Sequence, residues 1–227
     1  TSYFIKMETV KKRDFVEIEY TGRIKEDNII FDTTDEKVAK ENNLHGHDFS
    51  PAIICIGEEQ VLKGIDKNLE GKDVGKEYEF DIKPEDAFGK KNAKLIQLIP
   101  TAKFKQQNIQ PMPGMQLNID GMVGTVKTVS GGRTLVDFNH PLAGKELSYK
   151  VMINKKITGN KEKLSGYLKL ALGTKDFETT VENGNAKITL KNEMPKEVQE
   201  ELSEKITELM PEIKKAEFDI VNKQKNK

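Results

Sequence analysis

IGEEQVLKGIDKNLEGKDVGKEYEFDIKPEDAFG, residues 56–89, carries the pattern on which the fold turns. Val61-Leu62 is a bare apolar pair set between Glu59-Gln60 and Lys63-Gly64. Ile65 and Leu69 follow with the spacing of one short amphipathic helix, closed by Gly71. After Gly75, KEYEFDI at 76–82 alternates so that Tyr78, Phe80 and Ile82 share a face, the period of a half-buried strand. A helix this short is marginal in water, so it must lie across an apolar surface.

Working towards the N-terminus, DFVEIEY at 14–20 puts Val16, Ile18 and Tyr20 on one face and Glu17 and Glu19 on the other, and Thr21-Gly22 is expected to end this strand. Towards the C-terminus the texture changes from about Lys91 to Phe138, where Pro and Gly punctuate short β-branched runs, as in a small β-rich unit. LAGKELSYKVMI at 142–153 then resumes alternation with Leu147, Tyr149 and Val151, able to pair back onto the first sheet. The middle unit therefore reads as an insertion.

A third texture follows Asn154. Asn160 is a candidate N-cap for a helix bearing Leu164, Tyr167, Leu168, Ala171 and Leu172, with Gly173 as its stop. FETTV, Asn183-Gly184 and AKITL predict a hairpin with a type I′ turn. Pro195 opens a second helix with Val198, Leu202, Ile206 and Leu209 on one stripe, Pro211 closes it, and a last strand is expected around 216–221. The order is αββαβ.

The 227 residues hold 37 Lys+Arg and 37 Asp+Glu, so no overall field draws the chain to nucleic acid. Cys55 is the lone cysteine and excludes an intrachain disulfide. No signal-peptide core and no bilayer-length apolar run is present, so no membrane partner is expected and the location reads as cytoplasmic. TSYFIK, ahead of Met7, receives no functional weight, and the NKQKNK tail reads as a solvated basic end.

Groups that move protons or attack substrates are sparse. His45 and His47 form a single His-x-His, short of the roughly four N or S ligands of a structural zinc, so no metal is expected. His140 has no evident Ser or Cys partner and reads as a loop hydrogen-bonder. Both phosphate-loop patterns are missing, and no cofactor is expected.

YTG at 20–22, FDTT at 31–34, the 56–89 stretch and FNHPLAGKELSYKVMI at 138–153 together resemble the FKBP family of peptidyl-prolyl isomerases. The likeness covers about residues 10–153 and is greatest to the SlyD-like or archaeal long branch, with a small β domain inserted in the flap; the third region is similar to the extra C-terminal domain of long archaeal members. The resemblance implies an α+β fold: an antiparallel sheet wrapped around a short helix (7–91 plus 139–153), an inserted chaperone-type domain (92–138) and an αββαβ domain (154–227). It implies a rotamase acting on proline-containing unfolded or partly folded polypeptides, and a homodimer through 154–227, since so small a unit often needs a partner to complete its burial.

By the same resemblance the proline pocket would use Tyr20, Phe31, Asp32, Val61, Leu62, Ile65, Phe88 and Tyr149, with Val61-Leu62 as pocket wall. An aspartate directly after a core-like aromatic is costly unless it has a partner or faces a site, which favours the pocket for Asp32. Two positions depart from drug-binding members: Ile65 replaces the floor tryptophan and Phe88 replaces a ligand-bonding tyrosine. Ile109, Met112, Met115, Leu117, Met122 and Val123 would form the chaperone surface of the insert, or alternatively its core. A non-catalytic peptide-binding holdase is the competing function, and SlyD-type metal delivery, without a His/Cys-rich tail, stands last.

Overall fold

The protein is described by a computed structural model over residues 8–46 and 49–220. TSYFIK, His47 and the NKQKNK tail lie outside the described residues. The chain divides into two compact units, Thr1–Ile82 with Leu147–Lys227, and Lys83–Glu146. In chain order the elements are β1 (Phe15–Ile24), β2 (Ile30–Thr33), α1 (Glu36–Glu41), β3 (Ala52–Cys55), α2 (Lys63–Leu69) and β4 (Glu77–Ile82). The second unit holds β5 (Ile96–Pro100), α3 (Thr101–Gln106), β6 (Gln116–Ile119), β7 (Met122–Ser130) and β8 (Arg133–Asp137). The first unit resumes with β9 (Leu147–Lys156), α4 (Asn160–Leu172), β10 (Phe177–Glu182), β11 (Asn185–Leu190), α5 (Lys196–Leu209) and β12 (Lys215–Ile220). The fold is mixed α+β, with antiparallel sheets and few helices.

The main sheet has the order β2-β1-β9-β4, with β3 also paired to β1. Its core comes from alternation: Val16 and Ile18 on β1, and Leu147, Tyr149, Val151 and Ile153 on β9, are all fully buried. Each such aliphatic side chain contributes roughly 1.5–3 kcal/mol of burial. β1 does not end at Thr21-Gly22. It continues to Ile24, because Gly22 pairs in register with Asp32 on one side and Tyr149 on the other.

α2 turns Ile65 and Leu69 into the core. Its contact with β4 requires a glycine, since a Cβ on Gly64 would lie 2.3 Å from Ile82 Cγ2. Ile82, the last residue of β4, pairs with Leu147, the first of β9. The chain thus leaves the sheet and re-enters it at neighbouring positions, as an insertion requires.

α4 begins at Asn160, with Gly159 rather than Asn160 at the N-cap, and ends at Gly173 in the left-handed region (φ 62°). The turn between β10 and β11 has Asn183 at φ 49° and Gly184 at φ 78°, the pair of positive values a type I′ turn needs. β12 runs parallel to β11. α4 lies on β3 so closely that a Cβ on Gly166 would meet Ile53 Cβ at 2.4 Å. Phe15, Cys55 and Ile157 share one core with Leu164, Leu168, Ile188, Ile206 and Met210. The apolar side of the αββαβ segment is therefore buried within the chain, against the β1/β3 edge of the main sheet.

In the second unit the sheet order is β5-β8-β7-β6, around Phe104, Leu117, Val126 and Val136. The sequence indicated only β structure there, yet α3 forms and contributes Phe104 to that core. Among the described residues no helix is long and apolar enough to cross a membrane.

Candidate functional site

The Tyr149 ring lies 5.9 Å from that of Tyr20 and 6.0 Å from that of Phe31, edge-on to the latter. Gly22 makes this possible, since a Cβ there would sit 2.5 Å from Tyr149 Cζ. Unobstructed, the side chain crosses the middle strand and its hydroxyl donates to Asp32 Oδ2 at 3.2 Å. The two threonines of FDTT fix the other side. Tyr20 N–H donates to Thr34 Oγ1 at 2.8 Å, and Thr33 Oγ1–H and Thr34 N–H donate to the Tyr20 carbonyl at 3.1 and 2.9 Å.

This cluster is electrostatically quiet. Burial, followed by the Asp32 charge, pushes both the Tyr20 and Tyr149 hydroxyls far above the usual phenol range. Burial also raises the Asp32 carboxyl, against the opposing pull of the Tyr149 hydroxyl and the Thr33 backbone N–H. Both tyrosines stay neutral at physiological pH, and neither can act as a base.

Tyr20, Phe31 and Asp32 line a cavity of about 580 Å³, together with Leu44, Phe49 and Leu170 among others. Tyr149 is completely buried and does not line it, but packs against two residues that do. Val61 and Leu62 are half-buried at the start of α2, Ile65 is buried, and none of the three lines the cavity. Phe88 belongs to the second unit, where its ring stacks on His140 at 4.4 Å. His140 Nδ1 accepts from Leu142 N–H at 3.2 Å, the loop role its sequence context suggested.

Asp66 escaped the sequence reading. Its buried carboxylate accepts from Gly57 N–H at 2.8 Å and Glu59 N–H at 2.7 Å, holding the loop that presents Val61-Leu62. Glu59 has a left-handed φ of 49°, a costly conformation for a residue with a side chain, whereas Gly57 adopts its φ of 89° freely, so the loop gains from an internal anchor at Glu59. The available signal was a carboxylate beside an apolar residue on a helix too short to spare a buried position. Gln60 Oε1 adds a second tie, accepting from Cys55 N–H at 2.6 Å.

The expected chaperone surface divides in two. Met112, Met115, Met122 and Val123 are exposed, whereas Leu117 is buried and Ile109 packs partly buried against the same core. Leu117 is thus a core residue, because β6 alternation turns it inward. Two exposed residues were missed: Ile96 and Leu98 on β5. Register places them, with Val123, on the face opposite Val126 and Val136.

His45 is exposed and lines the cavity, while His47, the other half of the His-x-His, is outside the described residues. Among the described residues no three His, Cys, Asp or Glu side chains come together to hold a metal. Cys55 is buried, and burial, with the charges of Glu58 and Asp66, pushes its thiol up to about 12. Burial therefore disfavours the reactive thiolate.

A family model described as FKBP-type peptidyl-prolyl cis-trans isomerase matches residues 6–107, and one described as FKBP26, IF domain matches 97–142. The chain is 32% identical over 146 residues to a short-type peptidyl-prolyl cis-trans isomerase of Methanocaldococcus jannaschii, covering 63% of this chain and 92% of that protein. It is 34% identical over 111 residues to a probable FKBP-type 16 kDa isomerase of Pseudomonas fluorescens, covering 47% of this chain and 73% of that one. Over 108 residues it is 32% identical to SlyD of Haemophilus influenzae, covering 45% of this chain and 56% of that one. The extent of the archaeal match settles the assignment: the chain belongs to the FKBP-type peptidyl-prolyl cis-trans isomerases and is an enzyme of that class.

Proposed function

We propose that Xaa-Pro bonds of unfolded or partly folded polypeptides are rotated in the cavity bordered by Tyr20, Phe31 and Asp32, with Tyr149 as its rigid backing. In this reading Val61 and Leu62, half-buried on the loop held by Asp66 and outside the cavity lining, meet the part of the substrate that extends beyond the cavity, and buried Ile65 supports α2 from the core. The observation that carries it is the aromatic cluster itself: three rings and a bonded carboxyl beside an open cavity. An Xaa-Pro amide resists rotation through resonance, with a barrier of roughly 18–20 kcal/mol, and exchanges over tens to hundreds of seconds. At the top of the barrier the amide is twisted and its charge separation falls, so it needs less solvation than either planar isomer. A dry aromatic wall therefore stabilises the twisted form more than the ground states, and Asp32 steers the polar end of the substrate. This is differential binding, with no bond broken and no proton moved.

The insert, 92–138 in this division, captures unfolded chain and delivers it to the isomerase portion, 7–91 plus 139–153. Support comes from Met112 and Val123, about 60% exposed, and from Leu98 at 52%, since apolar side chains so open to water are characteristic of interaction surfaces. Methionines adapt to varied partners. A homodimer through 154–227 belongs to the same reading, supported by exposed Val198 and Ile220 and by β12 at the margin of its sheet, and light scattering tests it. A cytoplasmic setting fits a chain whose lone cysteine is buried and free.

NMR exchange spectroscopy on a short Xaa-Pro peptide, with the native chain and with a Phe31→Ser variant, tests the cavity. Strong loss of catalysis in the variant is expected. Equal rates would remove the cavity from the mechanism, and binding of unfolded protein without any rate enhancement would favour a holdase.

A further inference from the structure

The loop between β3 and α2 has two sets of anchors. Asp66 and Gln60 tie it to α2 and β3, its neighbours in the chain. The second set comes from α5. Lys205 Nζ lies 2.8 Å from Glu58 Oε2 and 3.2 Å from Glu208 Oε2, and Glu208 Oε1 lies 2.8 Å from the Arg13 guanidinium. Arg13 is itself fixed where the loop begins, its N–H donating to the Ile56 carbonyl at 2.9 Å. Glu58 stands between the two residues whose N–H groups Asp66 accepts. Its side chain is only 13% exposed, against 58% for Glu59 beside it, and a carboxylate so withdrawn from water needs a cation.

We propose that Lys205 is a positioning residue for the isomerase: through Glu58 it sets the conformation in which Val61 and Leu62 are offered to substrate. The inference rests on the reading above that these two residues meet the substrate beyond the cavity. Three features support it. Glu58 belongs to the same short loop as Leu62, and between them Glu59 holds a left-handed φ of 49° that must be stabilised from outside itself. The Asp66 bonds reach only backbone N–H groups of the loop, so the Glu58 side chain takes its partner from α5. α5 is a firm support, because Ile206, Leu209 and Met210 are buried in the core that also contains Cys55 at the end of β3. A loop already fixed in its bound conformation loses less freedom when the peptide arrives, which favours binding over the catalytic step. The segment after residue 154 thereby acts on the reaction without touching the substrate.

The test is NMR exchange on an Xaa-Pro peptide over a series of peptide concentrations, giving KM and kcat for the full native chain and for Glu58→Gln, Lys205→Met and the double variant. Urea midpoints are measured alongside. Each single variant should raise KM about threefold with kcat unchanged, the size of effect a partly exposed ion pair can transmit. The double variant should be no weaker than either single one, and Lys205→Arg, which keeps the charge, should restore most of the loss. A lowered urea midpoint with native KM would make the pair merely structural and overturn the proposal. So would a double variant whose KM rises by the product of the two single effects. Leu62→Ala separates the layers of the argument. If it raises KM while both ion-pair variants keep the native value, the positioning role is overturned and the reading of the loop survives. If Leu62→Ala also leaves KM native, both are overturned.

Discussion

The Tyr149 hydroxyl reaches the Asp32 carboxylate across Gly22, linking residues 117 positions apart through three adjacent strands. The bond gives a half-buried carboxyl its donor and fixes the ring against which Tyr20 and Phe31 pack. Disturbing any member of this arrangement has a defined consequence.

Gly22→Ala is expected to destabilise the protein by about 1–3 kcal/mol, the usual range for overpacking a filled core. The new methyl would stand 2.5 Å from the Tyr149 ring, which must swing away and release Asp32. Urea unfolding and Xaa-Pro exchange rates should fall together. A variant with native stability and native rate would show that the ring has room to yield.

Asp32 makes stability depend on pH with a definite sign. Its carboxyl is raised in the folded protein, chiefly by burial, so the folded state keeps a proton that the unfolded chain has already released. Stability from this group is therefore fully present below the ordinary carboxylate pKa of about 3.9 and is lost as pH climbs through the raised folded value. Asp32→Asn removes the titration. Its stability relative to the native chain should improve across that acidic window, and a pH-independent difference in urea unfolding would count against the assignment. Tyr149→Phe, which deletes a donor to the charged form, should move the window upward.

Asp66→Ala leaves two loop N–H groups without their acceptor and should cost about 1–3 kcal/mol in all, since Gly57 and Glu59 are exposed residues. Asp66→Asn retains one acceptor oxygen and should lie between the variant and the native chain. Hydrogen exchange at Gly57 and Glu59 reports the loop directly; unchanged protection in Asp66→Ala would mean that the turn holds without its anchor.

Removal of residues 92–137 should leave short-peptide isomerisation largely intact while catalysis of protein refolding drops, since the exposed Met112, Met122 and Val123 go with the insert. A milder version replaces Leu98 and Val123 by Ser on the outer face of the sheet. Parallel loss of both activities after the deletion would argue that the insert supports the isomerase fold instead of presenting clients.

Strong local periodicity was readable without coordinates. The alternation of KEYEFDI and of 142–153, the Asn-Gly hairpin and the αββαβ order after residue 154 depend on neighbours in the chain, and β4, β9, α4, β10, β11 and α5 form where those patterns lie. The ordered motifs at 20–22, 31–34, 56–89 and 138–153 were enough to name the family. Tertiary structure alone decided that Gly22 continues its strand instead of ending it, that Leu117 faces inward, that Asp66 is buried, and that α4 shares a cavity with Tyr20 and Phe31. Each of these follows from strand register or from packing between distant segments, where the free energy of a position is set by what lands opposite it, and sequence periodicity has no access to that.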